Sequence, residues 1–98
     1  MGYEIIWSEN SLQDYSVIIE YLISKWPPSV AMDFVDTVNK KLNNLSKLPL
    51  VGIRSDKDPS IRSLLLTSHN RLYYSISESK IELLAIIDTR SNPEKNPF

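Results

Sequence analysis

The sequence predicts an α+β fold, with a short N-terminal strand and an antiparallel hairpin of two helices packed on a three- to four-stranded antiparallel sheet. Apolar residues recur at the helical spacing of three and four positions before Pro49, and at the strand spacing of two after residue 60. Two adjacent prolines divide the helical part into two segments. A chain of 98 residues has the size of one domain, so residues 1–98 are assigned to a single domain.

The first half of the chain predicts the strand and the helical hairpin. Residues 3–8 are rich in β-branched and aromatic side chains, which favour a strand. Ser8 is a suitable N-cap for a helix over residues 8–25, and Pro27-Pro28 stops that helix. Ser29 is the predicted N-cap of a second helix over residues 29–47, and the short connection makes the pair antiparallel. The predicted inward-facing positions of the first helix are Leu12, Tyr15, Ile19, Leu22 and Trp26.

The second half of the chain predicts the sheet. Strands are expected over residues 61–67, 71–77 and 80–88, with a further short strand possible at residues 51–54. The last strand is apolar on both faces, which predicts a central position covered on both sides. Tyr73 and Tyr74 point in opposite directions, so one should join the core and the other face outward. The predicted core consists of Leu22, Phe34, Val38, Leu42, Leu72, Ile76, Leu83 and Ala85.

Composition restricts the classes of function. The absence of cysteine excludes a disulfide framework and a thiolate metal site, and no cofactor or metal motif occurs, so neither is expected. No apolar run approaches the roughly 20 residues of a membrane span, and the N-terminus does not resemble a secretory signal. We therefore expect a cytoplasmic protein with no membrane partner. The net charge of −1 counts against an affinity that depends on phosphate contacts.

Three arginines are the candidate functional residues, because Arg62, Arg71 and Arg90 lie on or at the end of successive predicted strands. A guanidinium stays charged and presents a planar fork to phosphate, so arginines on a rigid sheet could stabilise the charge of phosphodiester cleavage. The alternative is structural, with each arginine paired to a neighbouring carboxylate. His69, the single histidine, is expected in a solvated hairpin turn.

The order of several short motifs along nearly the whole chain resembles the RelE/ParE family of toxins from type II toxin–antitoxin pairs, which includes plasmid stabilisation proteins. The motifs are Tyr21-Leu22-Ile23-Ser24-Lys25-Trp26, Ala31-Met32-Asp33-Phe34, Leu45-Ser46-Lys47-Leu48-Pro49 with Gly52, Ile61-Arg62, Arg71-Leu72-Tyr73-Tyr74 and Asp88-Thr89-Arg90-Ser91-Asn92-Pro93. The resemblance implies a toxin that a cognate antitoxin neutralises. It also implies that the toxin forms either a homodimer or a hetero-oligomer with the antitoxin.

Two activities occur under this resemblance: RelE-like members cleave mRNA on the ribosome, and ParE-like members block DNA gyrase. By position, Arg62 and Arg71 match basic residues of the cleaving branch and Arg90 falls close to another, so these three would be catalytic there. Leu64 stands where that branch has a second basic residue, and no tyrosine or histidine follows Tyr74. The resemblance therefore favours a gyrase inhibitor. A RelE-like ribosome-dependent endoribonuclease and a non-toxic partner-binding module are the alternatives.

Overall fold

Two helices lie on one face of a five-stranded sheet in the computed structural model, which describes residues 2–98. The elements are β1 (Glu4–Trp7), α1 (Glu9–Lys25), α2 (Pro28–Lys47), β2 (Ile53–Arg54), β3 (Ile61–Thr67), β4 (Asn70–Ser77), β5 (Lys80–Asp88) and a 3-10 turn (Pro93–Lys95). The strand order is β1-β5-β4-β3-β2. Neighbouring strands are antiparallel, except that β1 pairs in parallel with β5. The α+β prediction is confirmed, and the sheet has five strands instead of three or four.

The ends of the helices show which local signals determine them. The side chain of Ser8 caps α1 by accepting a hydrogen bond from the backbone N–H of Ser11 at 3.1 Å. Trp26 adopts an extended conformation before Pro27, as expected for a residue that precedes proline. Ser29 is not the N-cap of α2, because the helix starts at Pro28, whose fixed φ and missing N–H suit the first helical position.

The two faces of the sheet follow from its register. Leu72, Tyr74 and Ile76 of β4 point to the helices, and their partners on β5 are Ile86, Leu83 and Ile81, respectively. The odd step between Leu83 and Ile86 arises from a register shift, which leaves Leu84 as an extra residue in β5. Strict alternation along this strand predicts Ala85 on the face of Leu83 and Ile86 on the opposite face, and this prediction is wrong beyond Leu83.

The core lies between the helices and one face of the sheet. Six of the eight predicted core residues are buried, and the other two, Leu22 and Ile76, are half-buried against the core. Ala85 is buried on the opposite face, because it pairs with Tyr73 after the register shift. The predicted inner stripe of α1 is wrong at its ends, where Leu12 and Trp26 are 49% and 46% exposed.

Candidate functional site

The sheet does not bring the candidate arginines onto one surface. In the register of β3 with β4, Arg62 pairs with Tyr74 and Leu65 pairs with Arg71. Positions 71 and 74 are three steps apart along β4, and an odd number of steps places their side chains on opposite faces. Arg62 therefore lies on the helix side of the sheet and Arg71 on the other side, which we call the open face.

Arg62 binds the backbone of the loop that follows α2. Its Nη1 donates to the carbonyl oxygens of Gly52 at 2.8 Å and Leu50 at 3.3 Å. The fully buried Tyr74 hydroxyl binds the same loop, donating to the Pro49 carbonyl at 2.8 Å and accepting from the Gly52 N–H at 2.9 Å. Burial raises the pKa of Tyr74, although the Gly52 N–H and the Arg62 charge act in the opposite direction. These contacts make the guanidinium of Arg62 part of a clamp on the loop.

Arg71 lies half-buried on the open face, where its Nη1 donates to the Ser63 hydroxyl at 3.0 Å. Tyr73 lies on the same face two positions along β4, and the ring of Phe98 stacks on it with a centroid distance of 5.1 Å. Tyr74 is thus the tyrosine that joins the core, as the alternation predicts. Tyr73 faces away from the core as expected, but Phe98 leaves it only 9% exposed.

Arg90 lies on an exposed turn after β5 and pairs with Asp88. Its Nε and Nη2 donate to the two carboxylate oxygens of Asp88 at 3.0 and 2.7 Å. These hydrogen bonds hold the pKa of the Asp88 carboxyl well below its ordinary value. His69 is exposed in the turn between β3 and β4, in the position the sequence predicts. The three arginines therefore occupy three different environments, and their proposed catalytic role stays a prediction.

Several large apolar side chains are exposed, and sequence patterns did not reveal which of them remain uncovered. We use the term helical apolar surface for the large side chains of α1, α2 and their connection that are 46–66% exposed, namely Leu12, Val17, Tyr21, Ile23, Trp26 and Met32. The loop apolar patch consists of Leu48, Leu50, Val51 and Ile53, which are 60–69% exposed. Their apolar character reads as a core signal in the sequence, because periodicity does not show which of two apolar helix faces will find a neighbour.

A groove of about 370 Å³ lies beside the loop apolar patch, between α2 and the edge of β3. β2 pairs with only Arg62 and Ser63, so the remainder of β3 forms an edge without a neighbouring strand in the described part of the chain. Lys41 and Arg71 are the charged residues among those that line the groove. The groove is therefore basic although the whole chain is slightly acidic.

Two further properties concern residues 2–98 as a whole. Within this range, no group of three or more histidine, cysteine, aspartate or glutamate side chains is arranged to hold a metal ion. None of the helices in the described range is long and apolar enough to cross a membrane.

An α+β domain of this size, with large apolar side chains exposed on its helices and on the loop after α2, has features that occur at macromolecular interfaces. The chain belongs to the family of ParE toxins of type II toxin–antitoxin systems, parDE, because the model of that family matches residues 5–93. No curated protein matches the chain in sequence.

Solved structures agree with this family at the level of the fold. The chromosomal ParDE toxin–antitoxin system of P. aeruginosa contains a similar chain with a TM-score of 0.73 and 17% identity, over 88% of this chain and 95% of that one. The toxin–antitoxin complex RelBE2 of Mycobacterium tuberculosis gives 0.61 and 20%, over 90% and 99%. The YoeB dimer of Staphylococcus aureus gives 0.64 and 14%, over 93% and 100%. Since the identities are low, these structures support the RelE/ParE fold and not one activity within it.

Proposed function

We propose that this type II toxin acts in the ParE manner, by inhibiting DNA gyrase, and that a cognate antitoxin neutralises it. The observation that supports this choice is the separation of Arg62, Arg71 and Arg90. Phosphodiester cleavage by fixed positive charges requires donors that converge on one phosphate. Here Arg62 donates to loop carbonyls on the helix side, Arg71 lies on the open face, and Arg90 is bound to Asp88.

The antitoxin is expected to cover the helical apolar surface. In the solved relatives, the ParDE and RelBE2 structures are described as a toxin–antitoxin system and a toxin–antitoxin complex. The helical apolar surface of this chain offers large side chains that burial would stabilise by about 25 cal/mol per Å². Lys41 and Arg71 beside the groove favour an antitoxin segment that carries acidic side chains. Co-expression with the product of the neighbouring reading frame should yield a complex that co-purifies and relieves growth inhibition.

Two assays on the purified protein separate the activities. In the first, gyrase converts relaxed plasmid to the supercoiled form with and without the toxin, and we expect inhibition. In the second, translating ribosomes are supplied with a defined mRNA, and we expect no toxin-dependent cuts. Position-specific cuts by the wild type that disappear in Arg71→Ala would instead support the RelE-like alternative. Loss of one essential donor would lower the cleavage rate roughly 100- to 1000-fold.

Matched variants make these assays more specific. Arg62→Ala should reduce stability, because the loop carbonyls lose their donor, whereas Arg71→Ala should leave the melting temperature nearly unchanged. Lysine at position 71 should restore cleavage poorly if the planar fork matters. A folded wild-type protein that affects neither supercoiling nor mRNA, yet binds the neighbouring gene product, would support a non-toxic partner-binding module.

A further inference from the structure

The last three residues of the chain lie across the open face of the sheet and cover Tyr73. The Phe98 ring stacks on the Tyr73 ring with an interplanar angle of 22°. The Asn96 side chain donates to the Tyr73 hydroxyl at 2.8 Å and also accepts from the Phe98 N–H at 2.8 Å. The same short segment therefore contacts both the hydroxyl and the ring of Tyr73.

The loop between β2 and β3 also holds this segment. The Ser55 hydroxyl donates to a backbone oxygen of Phe98, and the Lys57 ammonium donates to the carbonyl oxygen of Asn96. Ser55 also accepts hydrogen bonds from the N–H groups of Lys57 at 3.1 Å and Asp58 at 3.4 Å, which shape the loop between β2 and β3. The segment is thus anchored both to β4 and to this loop.

The connection between β5 and the anchored segment is exposed. Residues 91–95 are all exposed, and the 3-10 turn within them is capped by Asn92, whose side chain accepts from the Glu94 N–H at 3.0 Å. The segment contacts the sheet and the loop through Asn96 and Phe98. One aromatic stack and a few hydrogen bonds are individually weak, so the segment can detach while the sheet stays folded.

We propose that Asn96, Pro97 and Phe98 form an intramolecular strap that closes the open face, and that its release exposes Tyr73 as an aromatic platform beside Arg71. In the closed state the phenyl group of Phe98 covers the Tyr73 ring. Arg71, held by Ser63 on the same face, adds a positive charge next to the platform. A partner that binds this face must displace the strap. Its apparent affinity is therefore proportional to the fraction of molecules whose strap is open. The strap does not depend on which cellular target the toxin has.

Nitration of tyrosines by tetranitromethane tests the strap, with the modified sites identified by mass spectrometry. Tyr21, 53% exposed, is the internal standard for a reactive ring, and Tyr74, fully buried, is the standard for a protected one. In the wild type, Tyr73 should react much more slowly than Tyr21 but faster than Tyr74, because release of the strap exposes Tyr73 without unfolding the sheet. In Phe98→Ala and Asn96→Ala, Tyr73 should react at least roughly ten-fold faster than in the wild type. That factor corresponds to a loss of about 1.4 kcal/mol in the free energy of strap closure. Phe98→Tyr, which retains a stacking ring, should preserve the protection.

Lys95→Ala is the matched control, because Lys95 adjoins the strap, is exposed, and makes no side-chain hydrogen bond or ion pair within residues 2–98. Hydrogen exchange of residues 55–58 should accelerate in Phe98→Ala and not in Lys95→Ala, since the loop loses its partner only in the former. Rapid nitration of Tyr73 in the wild type, or continued protection in both strap variants, would overturn the proposal. Nitration of Tyr74 together with Tyr73 would also overturn it, because the segment would then be a structural part of the sheet.

Discussion

At the scale of single residues, Tyr74 connects the loop after α2 to the centre of the sheet. Its hydroxyl is fully buried and binds both the Pro49 carbonyl and the Gly52 N–H. Gly52 is required there because a Cβ atom would meet the Tyr74 hydroxyl and would lie 2.9 Å from the Ser63 carbonyl oxygen. The order Pro49, Gly52, Arg62 and Tyr74 is visible in the sequence, but only the register of β3 and β4 shows that they meet.

The clamp yields a first prediction at this scale. Tyr74→Phe should lower the free energy of unfolding by about 1–3 kcal/mol, because buried backbone groups at Pro49 and Gly52 lose their partner. Gly52→Ala should also cost roughly 1–3 kcal/mol through overpacking against the Tyr74 ring. Val51→Ala, at an exposed neighbouring position, is the control and should change stability by less than about 0.5 kcal/mol. Urea unfolding measures all three; an unaffected Tyr74→Phe variant would show that the loop does not need the clamp.

The exposed Asp88–Arg90 pair yields a second prediction. Because the folded-state pKa of Asp88 is depressed, the pair contributes to stability above the ordinary carboxyl pKa, and that contribution is lost as the pH falls through the folded-state pKa. Arg90→Ala should return the Asp88 pKa towards its ordinary value of about 3.9. Carboxyl chemical shifts followed by NMR during an acid titration measure this change. An unchanged Asp88 titration would show that the pair does not persist in solution, and would leave Arg90 free for a partner.

At the scale of elements, polar side chains of α1 complete the edge of the sheet that β1 leaves open. β1 pairs only with residues 80–83 of β5. Beyond that point the Leu84 carbonyl accepts from Ser8 and Asn10, and the Ile86 N–H donates to Asp14 at 2.9 Å. The start of α1 is therefore fixed to β5 by side chains that an apolar periodicity does not detect.

This edge yields a third prediction. Asp14→Ala should lower the free energy of unfolding by about 1–3 kcal/mol, because the partly buried Ile86 N–H loses its acceptor. Asp14→Asn keeps a side-chain carbonyl and should cost less. Asp33→Ala, at an exposed aspartate of α2, is the control. Hydrogen exchange at the Ile86 amide should accelerate in Asp14→Ala alone; equal exchange in all variants would contradict the proposed closure of the edge.

The elements also show how far local sequence signals reach. Both helices and strands β3, β4 and β5 were predicted within a few residues, because capping, prolines and period determine them locally. The parallel pairing of β1 with β5 joins residues more than 70 positions apart, so no local pattern predicts it, whereas β2 lies within the short strand considered possible at residues 51–54. The register shift at Leu84 likewise depends on tertiary packing, and it changed the predicted faces of Ala85 and Ile86. The sequence alone therefore could not show on which faces of the sheet the candidate arginines lie.

At the scale of the whole molecule, the two helices differ in how much of their apolar side-chain surface is covered. α2 buries five residues, namely Ala31, Phe34, Val38, Leu42 and Leu45, whereas Ser11 is the buried residue of α1. α1 thus contributes half-buried residues to the core and leaves further large side chains to solvent. Exposed apolar area of this kind promotes self-association when the partner is absent.

The last prediction concerns the helical apolar surface and depends on the proposed antitoxin. Leu12→Gln and Ile23→Gln replace side chains that are 49% and 59% exposed, so each should change stability by less than roughly 0.5 kcal/mol. If the antitoxin covers this surface, each change should weaken binding at least about ten-fold, since truncated anchor residues at interfaces commonly cost 2 kcal/mol or more. The same variants should also reduce self-association of the free toxin in analytical ultracentrifugation. Glu20→Gln, at an exposed polar position of α1, should alter neither property. If both apolar variants bind the antitoxin as tightly as the wild type, the interface does not include this part of α1. It would then be assigned to the loop apolar patch and the edge of β3.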